Sequence, residues 1–176
     1  INDFHNSNIY VIGRIVTFKD PIYAKNMQEH AYKTADNSLW KDYSGNNWPN
    51  PYDTTSWDYP IALAKEAASY GLDEIQFDYI RFPTDGLNLS NVKYTWRDSG
   101  MEKEGALMSF LAYARENIDA PIGIDIYGAN GWYRSGSRTG QDVEMLANYV
   151  DVICPMFYPN HFENNFLAYP PEIERP

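Results

Sequence analysis

The chain has 176 residues, 44% hydrophobic and 22% charged, a composition able to bury a core and unlike that of disordered segments. A formal net charge of −10 and a sequence pI of about 4.6 leave no basic surface to neutralise phosphates, which argues against nucleic acid and against an anionic membrane surface as partners. No apolar run approaches the ~20 residues of a membrane span, and the lone Cys154 excludes an internal disulfide framework or a cysteine-cluster metal site.

In chain order, Ile1-Asn2-Asp3-Phe4-His5 has neither the charge nor the apolar stretch of a signal peptide, so any export signal lies outside this sequence. Residues 9–16, β-branched and mostly apolar, predict a strand of a parallel sheet covered on both faces. Asp20-Pro21 supplies a helix N-cap with proline at the first helical position, and the helix is expected over 22–33. A second helix is expected over 57–70, with Ile61, Leu63, Ala64, Ala67 and Ala68 apolar and Gly71 as its C-terminal stop. Residues 74–80 alternate polar and apolar, which predicts a strand with Gln76 and Asp78 on one face and Phe77 and Tyr79 on the other. A helix over 103–117, a strand over 122–127, a short helix over 141–149 and a strand over 150–154 complete the pattern. The order βαβαβαβ implies an α/β fold with a parallel sheet, either a barrel or a doubly wound sheet, and no glycine-rich phosphate fingerprint follows any strand. Cys154, within an apolar stretch, is expected to be a buried packing thiol.

Three connections, 34–56, 83–102 and 128–140, exceed plain turns, and long loops in compact domains tend to be functional. They carry Trp40, Tyr43, Trp48, Tyr52, Tyr94, Trp96, Trp132 and Tyr133 in a chain that is 16% aromatic. Exposed rings there would suit sugar faces or protein partners. Loops 34–56 and 128–140 are expected to gather at the end of the sheet that holds Asp78, with Trp48 or Trp132 beside a concave site.

The chemistry centres on two acids. Asp78 ends its strand with Gln76 on the same face, and a buried carboxylate needs a partner, which Arg81 is placed to supply. Asp125 occupies the equivalent place in the next strand, Ile122-Gly123-Ile124-Asp125-Ile126-Tyr127. Neighbouring strands lie about 4.8 Å apart, so the two carboxyl groups reach the roughly 5 to 9.5 Å separations used in glycosidic cleavage, whether retaining or inverting. The alternative is a structural Asp78–Arg81 pair and an Asp125 that only accepts hydrogen bonds. Arg14 and Lys19 are candidates to bind a hydroxyl or hold a carboxylate. Trp48, Trp132 and Tyr158 are candidate sugar platforms, the alternative being that they close the barrel mouth, and His161, after Tyr158 and Pro159 at a strand end, either lines the site or lies on the surface. His5, His30 and His161 share no metal-ligand spacing, so no metal and no cofactor is expected.

The run Asp73-Glu74-Ile75-Gln76-Phe77-Asp78-Tyr79-Ile80-Arg81-Phe82-Pro83 resembles a bacterial family of TIM-barrel glycoside hydrolases long catalogued as a domain of unknown function. Gly13-Arg14-Ile15-Val16-Thr17-Phe18-Lys19-Asp20-Pro21, the loop at 40–51 and Asp151-Val152-Ile153-Cys154-Pro155-Met156-Phe157-Tyr158-Pro159 resemble its other hallmark stretches. The resemblance spans nearly the whole chain as one domain. It implies a TIM (β/α)8-type barrel distantly similar to the alpha-amylase and chitinase-like clans, a poly- or oligosaccharide substrate, and an extracytoplasmic or secreted location. By analogy with alpha-amylase-type enzymes, Asp78 would be the nucleophile and Asp125 the proton donor, whereas Ile80 stands where chitinase-type barrels carry their catalytic Glu. Strands before Arg14 and after Tyr158 are missing from the pattern, so the expectation is the central portion of a barrel, about four strands with both edges unpaired. The rival functions are a non-catalytic carbohydrate-binding barrel and a cell-wall polymer amidase or deacetylase.

Overall fold

In the computed structural model, which describes residues 1–86, 89–133 and 138–158, the β-branched runs form four parallel strands: β1 (Ile12–Val16), β2 (Glu74–Asp78), β3 (Ile122–Tyr127) and β4 (Val152–Met156). They lie side by side in sequence order, β1-β2-β3-β4, the arrangement of a barrel wall rather than of a doubly wound sheet, which reverses direction at a switch point. The register pairs Arg14 with Gln76, Gln76 with Gly123 and Asp125 with Cys154. Arg14, Gln76, Asp125 and Cys154 therefore share one face, on which Gly123 presents no side chain.

The opposite face is the hydrophobic core. Ile15, Ile75, Phe77, Ile122, Ile124 and Ile126 are buried there beneath the helices. Helix α1 (Asn2–His5) is a single turn, and α2 (Pro21–Asn26) begins where Asp20 accepts the backbone N–H groups of Ile22 and Tyr23 at 2.9 Å. Helix α3 (Thr55–Ser69) buries Trp57, Pro60, Ile61 and Ala64 as one stripe and leaves Leu63 exposed; Gly71, at φ +88°, ends it in the left-handed conformation that glycine adopts without cost. Helix α4 (Lys103–Asn117), with the expected bounds, buries Ala106, Leu107, Phe110, Leu111 and Ala114. The Phe110 ring meets Phe18, Phe77 and Trp57 edge-on at centroid distances of 5.2, 5.3 and 6.0 Å, joining sheet to both long helices.

Several expectations need correction. The helix expected over 22–33 stops at Asn26, because Tyr32 is fully buried and its backbone exchanges hydrogen bonds with Trp48 and Trp40 at 3.0 Å. Tertiary pairing overrides local propensity there. The helix expected over 141–149 shrinks to α6 (Val143–Leu146), capped by Asp142. Part of the loop at 128–140 is helical, α5 (Gly128–Tyr133), whose Gly131 lies so close on Pro155 that an added Cβ would sit 2.7 Å from the proline ring. The aromatic rings of loop 34–56 are mostly core: Trp40, Trp48 and Tyr52 are 1%, 0% and 6% exposed. Trp40 and Tyr52 join Tyr32, Phe82 and Tyr94 in a group of touching rings that is continuous with the rest of the core, of which Trp48 is also part.

Candidate active site

The register of β2 against β3 pairs Phe77 with Ile124, so Asp78 and Asp125 stand one step higher at the same level of neighbouring strands. Both are nearly sealed from solvent, at 2% and 9% exposure. Arg14, two residues down from the end of β1, reaches across both: its Nη2 donates to Asp78 Oδ2, and its Nε lies 3.6 Å from Asp125 Oδ2. The Tyr79 backbone N–H donates to the other Asp78 oxygen at 2.6 Å. Burial raises the pKa of the Asp125 carboxyl, the negative charge of Asp78 adds to the rise, and Arg14 opposes it. The Arg14 guanidinium is itself held more firmly protonated, chiefly by Asp78.

Arg81 is not the partner of Asp78; Arg14 takes that place. Tyr79 has φ +51°, which breaks the pleat, so Tyr79 leaves the Phe77 face that simple alternation assigns to it. Tyr79 instead meets Trp48 edge-on at 6.0 Å, and the Arg81 guanidinium lies 5.1 Å from the Trp48 ring and 5.6 Å from the Tyr79 ring. Lys19 approaches the same two rings at 5.8 and 4.8 Å and lies 3.8 Å from Asp42, which also accepts the Trp48 indole N–H at 3.0 Å. Trp48 is thus no sugar platform: it is fully buried among cations and a carboxylate. The loop at 34–56 does reach the sheet end that carries Asp78.

Trp132 and Tyr158 remain at the surface, 48% and 50% exposed. Trp132 stands on α5, directly after β3, and meets Phe157 edge-on at 6.2 Å beyond the end of β4. This places an aromatic ledge at the strand ends on the Asp125 side. Gln76 does not touch the acid pair. Its amide donates to Cys154 Sγ at 3.3 Å, and a Cβ added at Gly123 would fall 2.4 Å from Glu74 Oε1 but only at an ordinary 3.7 Å from Gln76 Cγ. Cys154 is therefore half-buried on the polar face rather than in the core. His161 lies outside the described residues.

A family model described as "Putative glycosyl hydrolase domain" matches residues 1–176. The chain belongs to that family. A hypothetical protein from Ruminiclostridium thermocellum ATCC 27405 is 42% identical with a TM-score of 0.63, over 70% of this chain and 62% of that one. An alpha-galactosidase from Thermus thermophilus, solved with p-nitrophenyl alpha-D-galactopyranoside, is 12% identical with a TM-score of 0.56, over 86% of this chain and 28% of its own. A family GH13_31 enzyme is 12% identical with a TM-score of 0.50, over 76% of this chain and 34% of its own. The chain thus spans less than two thirds of each of these. No curated protein matches it. The likeness to the two distant enzymes is one of fold, and with the sequential parallel sheet it makes this domain an α/β structure with part of a TIM-type barrel.

One residue at the candidate site carries no signal in the sequence. Gln141 is fully buried; its Nε2 donates to the carbonyls of Ile80 at 2.9 Å and Asp125 at 3.0 Å, and its Oε1 accepts the Tyr127 N–H at 2.8 Å. It ties the end of β2 to the end of β3 and fixes the backbone that carries Asp125. Nothing in the sequence marks a glutamine at the start of the helix expected over 141–149 as different from any other polar residue at a helix end. Among the described residues no group of three or more His, Cys, Asp or Glu side chains could hold a metal ion, and no helix is long and apolar enough to cross a membrane.

Proposed function

We propose that the domain hydrolyses O-glycosidic bonds in a poly- or oligosaccharide, with Asp78 as nucleophile and Asp125 as proton donor. The observation that carries this reading is the single Arg14 guanidinium in contact with both carboxyl groups at one level of neighbouring strands. Asp78 has the closer cation contact and suits the charged role; Asp125, its pKa raised by burial and by Asp78, suits the protonated one. In the first step an Asp78 oxygen bonds to the anomeric carbon as Asp125 gives its proton to the departing glycosidic oxygen. In the second, water gives a proton back to Asp125 and displaces Asp78. One guanidinium touching both acids favours the shorter separation, about 5 to 5.5 Å, that accompanies retention of configuration. Proton NMR of the first-formed sugar should show the substrate's own anomer.

The second reading is a carbohydrate-binding barrel without turnover, favoured by the 2% exposure of Asp78 beneath Arg14. Reducing-sugar release and glycan binding, measured on one panel of oligosaccharides, separate the two. Asp78→Asn should abolish release, by about 10³-fold or more, while binding stays measurable. Release within a few-fold of wild type in that variant would sink the assignment, and a wild type that binds glycans yet releases no sugar from any of them would establish the second reading.

A further inference from the structure

Three cations stand at the C-terminal ends of β1 and β2, and two are spoken for: Arg14 by Asp78 and Asp125, Lys19 by Asp42. Arg81 is different. It is half-buried, and none of its nitrogens lies within ion-pair distance of a carboxylate oxygen among the described residues. Of the five N–H donors of a guanidinium, it commits one to an acceptor among the described residues, the Phe82 carbonyl at 3.1 Å, and its face to the Trp48 and Tyr79 rings. Withdrawing a guanidinium from water without an anion is unfavourable, and burial does depress its hold on the proton, with Asp85, Tyr79, Tyr127 and Asp78 acting in the other direction. Arg81 lies 5.6 Å from the ring of Tyr79, whose backbone N–H donates to Asp78, and so stands at the same strand ends as the acid pair. A fork with free donors, stiffened by two rings, is built for bidentate capture of an oxyanion.

We propose that Arg81 is a specificity residue that binds an oxyanion carried by the glycan, a uronic-acid carboxylate or a sulfate ester, so that the substrate class is acidic polysaccharide. This rests on the glycosidase reading for the words "substrate" and "hydrolysis", but not for binding. In a chain of net charge −10, such a contact also gives an anionic polymer a local attraction that the surface as a whole withholds.

The test is a titration of the wild-type protein followed at the Arg81 Nε–H signal by NMR, the signal being assigned from its loss in Arg81→Lys. Three probes are used: galacturonic-acid oligosaccharides, their carboxyl-reduced neutral counterparts, and sulfated galactose oligosaccharides of equal length. The Arg81 signal should shift with at least one anionic probe and not with the neutral one, and which anion acts identifies the oxyanion. Calorimetry should show that anion bound about tenfold or more tightly than its neutral counterpart, as for a charge-assisted bidentate contact. The preference should collapse toward one in Arg81→Gln; the wild-type titration stands even where that variant fails to fold. A silent Arg81 signal with every probe, or equal shifts with the neutral sugar, overturns the proposal. Hydrolysis of neutral glycans with Arg81 silent leaves the glycosidase reading standing alone, whereas an Arg81 shift without hydrolysis of any probe sustains the anion site and counts against the glycosidase reading.

Discussion

Asp125 sits among three influences: burial and the charge of Asp78 raise its pKa, and Arg14 lowers it. A proton donor works in its protonated form, so kcat/KM should fall as the pH rises through that raised value. Arg14→Met removes the lowering influence, and the alkaline limb of the pH–rate profile should move to higher pH; a shift to lower pH would contradict the proton-donor role. Linkage gives the matching sign for stability. The folded state holds this proton more tightly than the unfolded chain, so stability falls as the pH rises from the ordinary carboxyl range through the raised value, and Asp125→Asn should remove that slope from denaturation curves. Trp132, 48% exposed beside the ends of β3 and β4, belongs to the same scale. Trp132→Ala should raise KM several-fold and change kcat less, because a stacking ledge holds ground state and transition state alike.

Helix α4 and the β2–β3 ends show what a pattern of residues can and cannot announce. The α4 stripe was fully legible, bounds included, because apolar residues recur at the helical period and the chain stays regular throughout. Phe110→Ala should lower stability by about 3–5 kcal/mol in chemical denaturation, the range for an aromatic lost from a packed core. The two acids were legible too, since a carboxylate inside an apolar strand is conspicuous in any sequence. Their shared cation was legible only in part: Arg14 is among the candidates to hold a carboxylate, but Arg81, three residues from Asp78, is the partner the sequence suggests, and strand register brings Arg14, 64 residues away, into the contact instead. Trp48 was misplaced for a related reason, because a long loop can fold into its own core and composition does not say so. Gln141 was invisible for want of any pattern. Gln141→Ala should leave the buried carbonyls of Ile80 and Asp125 without donors, cost about 1–3 kcal/mol, and lower kcat more than it raises KM if the Asp125 backbone loosens.

As a whole, the sheet has one covered face and one open one. Ile12, Val16, Tyr127 and Val152, on the Arg14 face, are 45%, 41%, 37% and 37% exposed, and among the described residues no strand pairs with the outer edge of β1 or of β4. Open edges and apolar residues on an uncovered face drive association. A polypeptide of residues 1–176 alone should therefore sediment as a concentration-dependent mixture larger than a monomer, and a monomer at all concentrations would contradict this. The sequential strand order has a temporal side as well. A ribosome delivers Arg14 first, then Asp78, then Asp125, the same order in which their strands lie edge to edge. Each acid thus emerges after the cation it will share has been made, so no stage of synthesis holds the two negative charges without their counterion on the same chain.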